Sequence, residues 1–126
     1  MEVLLRLGHL ACEVALREGA EFAEAHVHRG ESVGVELEKG RVKTAEADQW
    51  GGIELRCFYR GGRGSSGGNS LTELTVRQVA TDAAAMARAA APDPDFVSLV
   101  SPAPYPEVPG LFDEAVAGVS AAEVMR

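Results

Sequence analysis

The chain has 126 residues, 46% of them hydrophobic and 25% charged, the composition of one globular domain with a single modest core. Its formal net charge of −7 argues against a nucleic-acid binder, because its 12 Lys and Arg are scattered among 19 acids, whereas phosphate neutralisation needs them clustered. The opening MEVLLRLGHLACEVALREG carries Glu2, Arg6 and Glu13 inside its apolar stretch, a pattern for neither a signal peptide nor a membrane span. Two cysteines, Cys12 and Cys57, make no disulfide framework, and a reduced, cytoplasmic protein is expected.

In chain order, Val3, Leu7, Leu10, Ala11 and Val14 fall at the spacing of one helix face, and Gly19 is placed to stop that helix. The period then changes to two. Ala23, Ala25 and Val27 alternate with Glu24, His26 and His28, and Val33, Val35 and Leu37 with Gly34, Glu36 and Glu38. RGES and EKGR stand where two hairpin turns are needed; Arg41 to Ala47 gives a weaker strand, and Ile53, Leu55, Cys57 and Tyr59 the clearest one. The glycine-rich YRGGRGSSGGNSLT follows, with Gly61-Gly62 read as a hairpin turn and Gly67-Gly68-Asn69 as slack before caps at Ser70 and Thr72. Val76, Val79, Ala80, Ala83, Ala87 and Ala90 make a narrow, alanine-rich helical stripe able to lie close on a sheet. Prolines from Pro92 to Pro109 require an extended segment, and Ser120-x-x-Glu123 forms a capping-box signature near the end. The expectation is an α+β fold: a leading helix, an antiparallel meander of about four strands, an Ala-rich helix on one sheet face and a Pro-rich extended C-terminal segment. The corresponding divisions are residues 1–92, a linker over 93–119, and a helix start at 120–126.

Three constellations offer chemistry. Gly62-Arg63-Gly64-Ser65-Ser66-Gly67 spells G-x-G-x-x-G between a strand and a helix, but the preceding strands read as antiparallel, the helix begins late, and no second strand ending in a ribose-binding acid follows. A mobile loop is the expectation. His26 and His28 share one strand face, a spacing that can present two imidazoles to a metal, with Glu24 and Glu36 as the third-ligand candidates; two solvated histidines are the commoner outcome. Glu36, Glu38 and Glu54 can lie together on the wet face of the sheet, and His9 stands one turn before Glu13. Cys12 and Cys57 read as small buried hydrophobes. No catalytic or cofactor-binding residue is assigned.

The order of VGVELEKGRVKTAEADQWGGIELRCFYRGGRGSSGGNSLT, the helix VRQVATDAAAMARAAA, the acid-proline PDPDF and PAPYPEV resembles the N-terminal domain of the TldD/PmbA family, predicted modulators of DNA gyrase regarded as metallopeptidases. The resemblance covers nearly the whole chain and the first quarter to third of a typical member. It implies a zinc peptidase whose H-E-x-x-x-H helix lies outside this sequence, so no zinc ligand carries over and no cofactor is expected in this chain itself. It also implies dimers, homo- or heteromeric, in which this domain helps enclose a channel admitting extended peptides, with the rest of the polypeptide as a further partner. No direct contact with nucleic acid or membrane is expected, and an effect on gyrase would run through processing of a protein. A peptide could add as a strand to an exposed sheet edge, beside the loop of Gly61, Gly62, Gly64, Ser65 and Ser66. The sequence departs from the family pattern at Ser65-Ser66 and Gly67-Gly68. The alternative is a free-standing binding or dimerisation domain.

Overall fold

A computed structural model describes residues 1–126. Two helices and three long strands come first: α1 (Glu2–Arg17), β1 (Phe22–Glu38), β2 (Arg41–Tyr59), β3 (Gly62–Gly68) and α2 (Glu73–Ala89); two single turns, α3 (Glu114–Ala117) and α4 (Ala121–Val124), follow. The sheet has the order β1-β2-β3, with β2 and β3 antiparallel. The α+β expectation is met with one strand fewer.

The difference in count has a local cause at each expected turn. RGES does not reverse the chain: Gly30 to Ser32 lie inside β1. Ala23, Ala25, Val27, Val33, Val35 and Leu37 all keep the same parity, as one uninterrupted strand requires. Likewise Arg41–Ala47 and Ile53–Tyr59 belong to a single strand. EKGR does turn, with Lys39 and Gly40 at φ 51° and 75°. The next turn is built the same way from Arg60 and Gly61, φ 47° and 77°, rather than from Gly61-Gly62. Two successive left-handed residues make the type I′ turn that suits the twist of a two-residue hairpin.

The glycine-rich segment is the third strand, and this is the main correction to the sequence reading. Gly62, Gly64, Ser66 and Gly68 pair with Tyr59, Cys57, Leu55 and Ile53, so the residues read as slack belong to the ladder. The same register puts Gly62, Gly64 and Gly68 on the face that carries α2. A Cβ on Gly64 would stand 1.9 Å from the Ala83 carbonyl oxygen, and one on Gly62 2.4 Å from that of Ala87. Backbone rests directly on backbone here, and only glycine allows it. On the helix side the contact is matched by Ala80, Ala83, Ala84 and Ala87, all buried.

Met1–Arg29 with Trp50–Val100 forms one compact unit, and it contains the core. Leu7, Ala11, Val14 and Ala15 of α1, Ile53, Leu55 and Cys57 of β2, and Val76 and Val79 of α2 are buried together. Helix α1 ends as its sequence directs: Gly19 takes φ 106°, while Gly19 N–H and Ala20 N–H donate to the carbonyls of Leu16 and Ala15. Helix α2 is capped by Thr72, whose hydroxyl accepts from Thr75 N–H at 3.2 Å; Ser70 does not cap it. The two helices run alongside each other in the same direction. Arg6 pairs with Glu73 at their N-terminal ends, and Arg88 donates to the Glu18 carbonyl at their C-terminal ends.

After α2 the chain turns under the β2–β3 hairpin. Asp93 N–H donates to the Gly61 carbonyl, and the Asp93 carboxylate accepts from Asp95 N–H. This fold-back lays Phe96 on the sheet face opposite the helices, stacked on Phe58 at 3.8 Å and edge-on to Phe22 at 5.7 Å. The acid-proline motif PDPDF is therefore a strap across the end of the sheet.

The second unit comprises Gly30–Gln49 and Ser101–Arg126. Its hairpin is laced by Lys43–Glu36 at 2.9 Å and Gln49–Glu31 at 3.5 Å. Asp113 caps α3, and the expected capping box of Ser120 and Glu123 is formed at α4. The Ser120 N–H and hydroxyl hold the Glu123 carboxyl below the usual carboxylate range.

Gly64→Ala is expected to destabilise the protein by about 3 kcal/mol or more in urea titration, the upper range for overpacking a close-packed site. Ser65→Ala, one residue away on the open face, should stay within about 0.5 kcal/mol of wild type.

Candidate functional site

The sheet face that carries no helix holds a groove of about 810 Å³, lined by Glu24 and His26 of β1, Glu54 and Arg56 of β2, and Arg63 and Ser65 of β3 among others. Strand alternation places these side chains together, because Glu54, Arg56 and Phe58 stand opposite Gly67, Ser65 and Arg63. Across the floor Arg56 pairs with Glu24, and its guanidinium lies 5.9 Å from the Phe58 ring centroid. Arg56 Nε is buried without a hydrogen-bond partner.

One side of the groove is a free strand edge. In a hairpin closed by a two-residue turn the flanking pair exchanges both backbone bonds, and the pairs then alternate. Tyr59–Gly62, Cys57–Gly64 and Leu55–Ser66 are accordingly the bonded pairs. The N–H and C=O groups of Arg63, Ser65 and Gly67 point away from β2. The residue just before β1 supports this phase: Glu21 N–H donates to the Phe58 carbonyl at 2.8 Å on the other side of β2. Arg63, Ser65 and Gly67 are exposed, and no other backbone group bonds to them.

The G-x-G-x-x-G string is thus strand rather than phosphate loop, and α2 begins six residues after Gly67, at Glu73, once Asn69-Ser70-Leu71-Thr72 have been passed. Gly61, Gly62 and Gly64 serve the turn and the helix contact; Ser65 lines the groove from the exposed edge, with Ser66 half-buried beside it.

His26 and His28 do lie side by side, ring centroids 5.6 Å apart at 30°. His28 is folded over Gly52, its Cε1 3.1 Å from where a Cβ would stand, and its Nδ1 is buried without a partner. The third-ligand candidates are engaged elsewhere, Glu24 with Arg56 and Glu36 with Lys43. No group of three or more His, Cys, Asp or Glu side chains could hold a metal ion. The zinc implied by the family resemblance finds no donor set among these residues.

Cys57 is fully buried and Cys12 half-buried, both as free thiols. Burial pushes both thiols up, with Glu24 adding to the effect at Cys12 and Arg88 opposing it at Cys57. Raised thiols make poor nucleophiles at neutral pH. No helix is long and apolar enough to cross a membrane.

Residues 23–91 match the family described as PmbA/TldA metallopeptidase domain 1. The chain belongs to this family. Its fold is also that of TldE from Thermococcus kodakarensis, whose crystal structure superposes with a TM-score of 0.76 at 20% identity, over 95% of this chain. The chain spans 26% of the length of that TldE. No curated protein matches it. The family match covers the three strands and α2, and so includes both the glycine contact and the free edge.

Sequence reasoning located His26, His28 and the glycine-rich segment but missed Glu24, Glu54, Arg56 and Arg63 as a group. Their shared parity across three strands was the available signal, and it needed the hairpin register that the glycines concealed.

Because both thiols are raised, stability is fully present below the ordinary thiol range and is lost as pH rises through the folded-state values. Native Cys57 should react slowly with a thiol reagent at pH 8 and become fully reactive only on unfolding in urea; fast native labelling of Cys57 would contradict the packing.

Proposed function

We propose that the chain is the non-catalytic first domain of a TldD/PmbA-type zinc metallopeptidase, where it contributes to dimer assembly and to substrate access by receiving an extended peptide. The observation that carries this is the outward-facing backbone of Arg63, Ser65 and Gly67 on the rim of the groove. A strand edge binds through main-chain groups that every peptide possesses, and so takes any extended chain whose own backbone groups are free. The match to a metallopeptidase family supports a peptide as the ligand. Chemistry requiring zinc belongs to the remainder of such a protein, since the donor set is not here. The exposed Val33, Leu37 and Val42 of the β1–β2 ribbon support its burial in a larger assembly, because a bare two-stranded ribbon is marginal in water.

Ser65→Pro tests the reading. Proline removes one outward N–H while leaving the β2 ladder intact, a substitution edge strands accommodate. In wild type, an unstructured peptide should slow amide exchange at Arg63, Ser65 and Gly67. In Ser65→Pro affinity should fall about tenfold, in line with about 1.4 kcal/mol for lost backbone bonds. No protection at millimolar peptide would sink the proposal.

A further inference from the structure

The two ends of this edge carry opposite, uncompensated charges. Arg63 stands at the turn end, and the ion pairs of the chain are Arg6–Glu73, Arg17–Glu13, Lys43–Glu36 and Arg56–Glu24, so Arg63 has no carboxylate. At the far end Gly67 has no side chain of its own. Opposite it, Glu54 leans over the vacant place, its Cγ 3.5 Å from where a Cβ of residue 67 would be. Glu54 likewise has no cationic partner. One edge strand therefore presents a cation at position 63 and an anion at position 67, both on the open face, with Ser65 between them.

Side chains on one face of a strand recur every two residues, and directly opposite pairs of like charge are destabilising whereas unlike pairs attract. A segment paired antiparallel along β3 meets Gly67 first and Arg63 four residues later, with both side chains on the groove face. We propose that the groove selects extended peptides bearing a basic residue followed, four positions on, by an acidic one, the base beside Glu54 and the acid beside Arg63. The inference rests on the edge-pairing reading above and adds the substrate class to it. Pairing limited to the three outward-facing residues suits a short peptide. It falls far short of the ~1,000 Å² that a stable interface between two copies needs.

The test uses the 126-residue chain and three fluorescent nine-residue peptides on one Thr/Val framework: Lys-x-x-x-Glu, its reversal Glu-x-x-x-Lys, and Gln-x-x-x-Gln. Two exposed ion pairs should make the first bind about tenfold tighter than the neutral peptide, and the advantage should vanish at about 0.5 M salt. Arg63→Glu should bring the affinity ratio of Lys-x-x-x-Glu to Gln-x-x-x-Gln from about ten to one or below. Glu54→Lys should act through the other charge, lowering the same affinity ratio to one or below. Equal affinities for all three, with exchange protection at residues 63, 65 and 67, would overturn the charge rule and leave edge pairing standing. No binding by any peptide would overturn both. Concentration-dependent dimers in sedimentation that Ser65→Pro dissolves, with no peptide competing, would assign the edge to a second copy and overturn the proposal.

Discussion

The contact between the backbone of α2 and the backbone of β3 at Gly62 and Gly64 fixes nearly everything else in the larger unit. An alanine-rich helix has little side-chain reach, so it gains dispersion contacts only by coming close, and a strand of ordinary residues would hold it off. Glycine at 62 and 64 removes that obstacle, and the buried row Ala80, Ala83 and Ala87 completes the fit. The larger apolar side chains then come from elsewhere: Ile53 and Leu55 of the middle strand, Leu7 and Val14 of α1, Val76 and Val79 of α2. The close approach also brings an α2 carbonyl toward each glycine Cα, a weak C–H···O geometry that recurs where backbones meet.

That economy of side chains explains what the sequence shows and what it conceals. Helix α1, helix α2, the EKGR turn and the Ser120–Glu123 box are legible because periodicity, a glycine stop or a cap writes each of them locally. β3 is not, because Gly62, Gly64, Gly67 and Gly68 carry no alternation and glycine disfavours strands. Its strand character comes from contact with Ala83 and Ala87, which lie 19 and 25 residues beyond Gly64 and Gly62 respectively, a tertiary cause with no local trace. The false turn at RGES is a different case. Gly30 suggests a break, but the unbroken parity from Ala23 to Leu37 already said that the strand continues. The groove was half legible: His26 and His28 declare themselves by spacing, while Arg56 and Arg63 join them only once β3 is known to be a strand.

The two faces of the sheet divide the chemistry. On the helix side the positions are filled by apolar groups, alanines with a few larger aliphatic side chains, and two thiols whose ionisation burial opposes. On the other side, Glu24, Glu54, Arg56, Arg63 and the two histidines keep their contact with water, and only the Phe22, Phe58 and Phe96 cluster is apolar. These side chains surround the outward-facing edge of β3. The face offers a set of fixed charges around a hydrogen-bonding edge, and the proposed peptide site draws on both.

Holding a chain well depends on how little the edge must change to do so. β3 is tied to β2 by its ladder, pressed on one face by α2, and fastened at its turn by the Asp93 N–H bond to Gly61. Phe96 clamps the neighbouring strands from the opposite face. The one direction left open is the edge itself. Under the proposed reading, a strand fixed on three sides has little conformational freedom left to lose, so most of the ordering cost would fall on the peptide. A mobile glycine loop, by contrast, would pay that entropy at every encounter, with glycine losing more than any other residue. The glycines that look like slack in the sequence are what make the edge rigid.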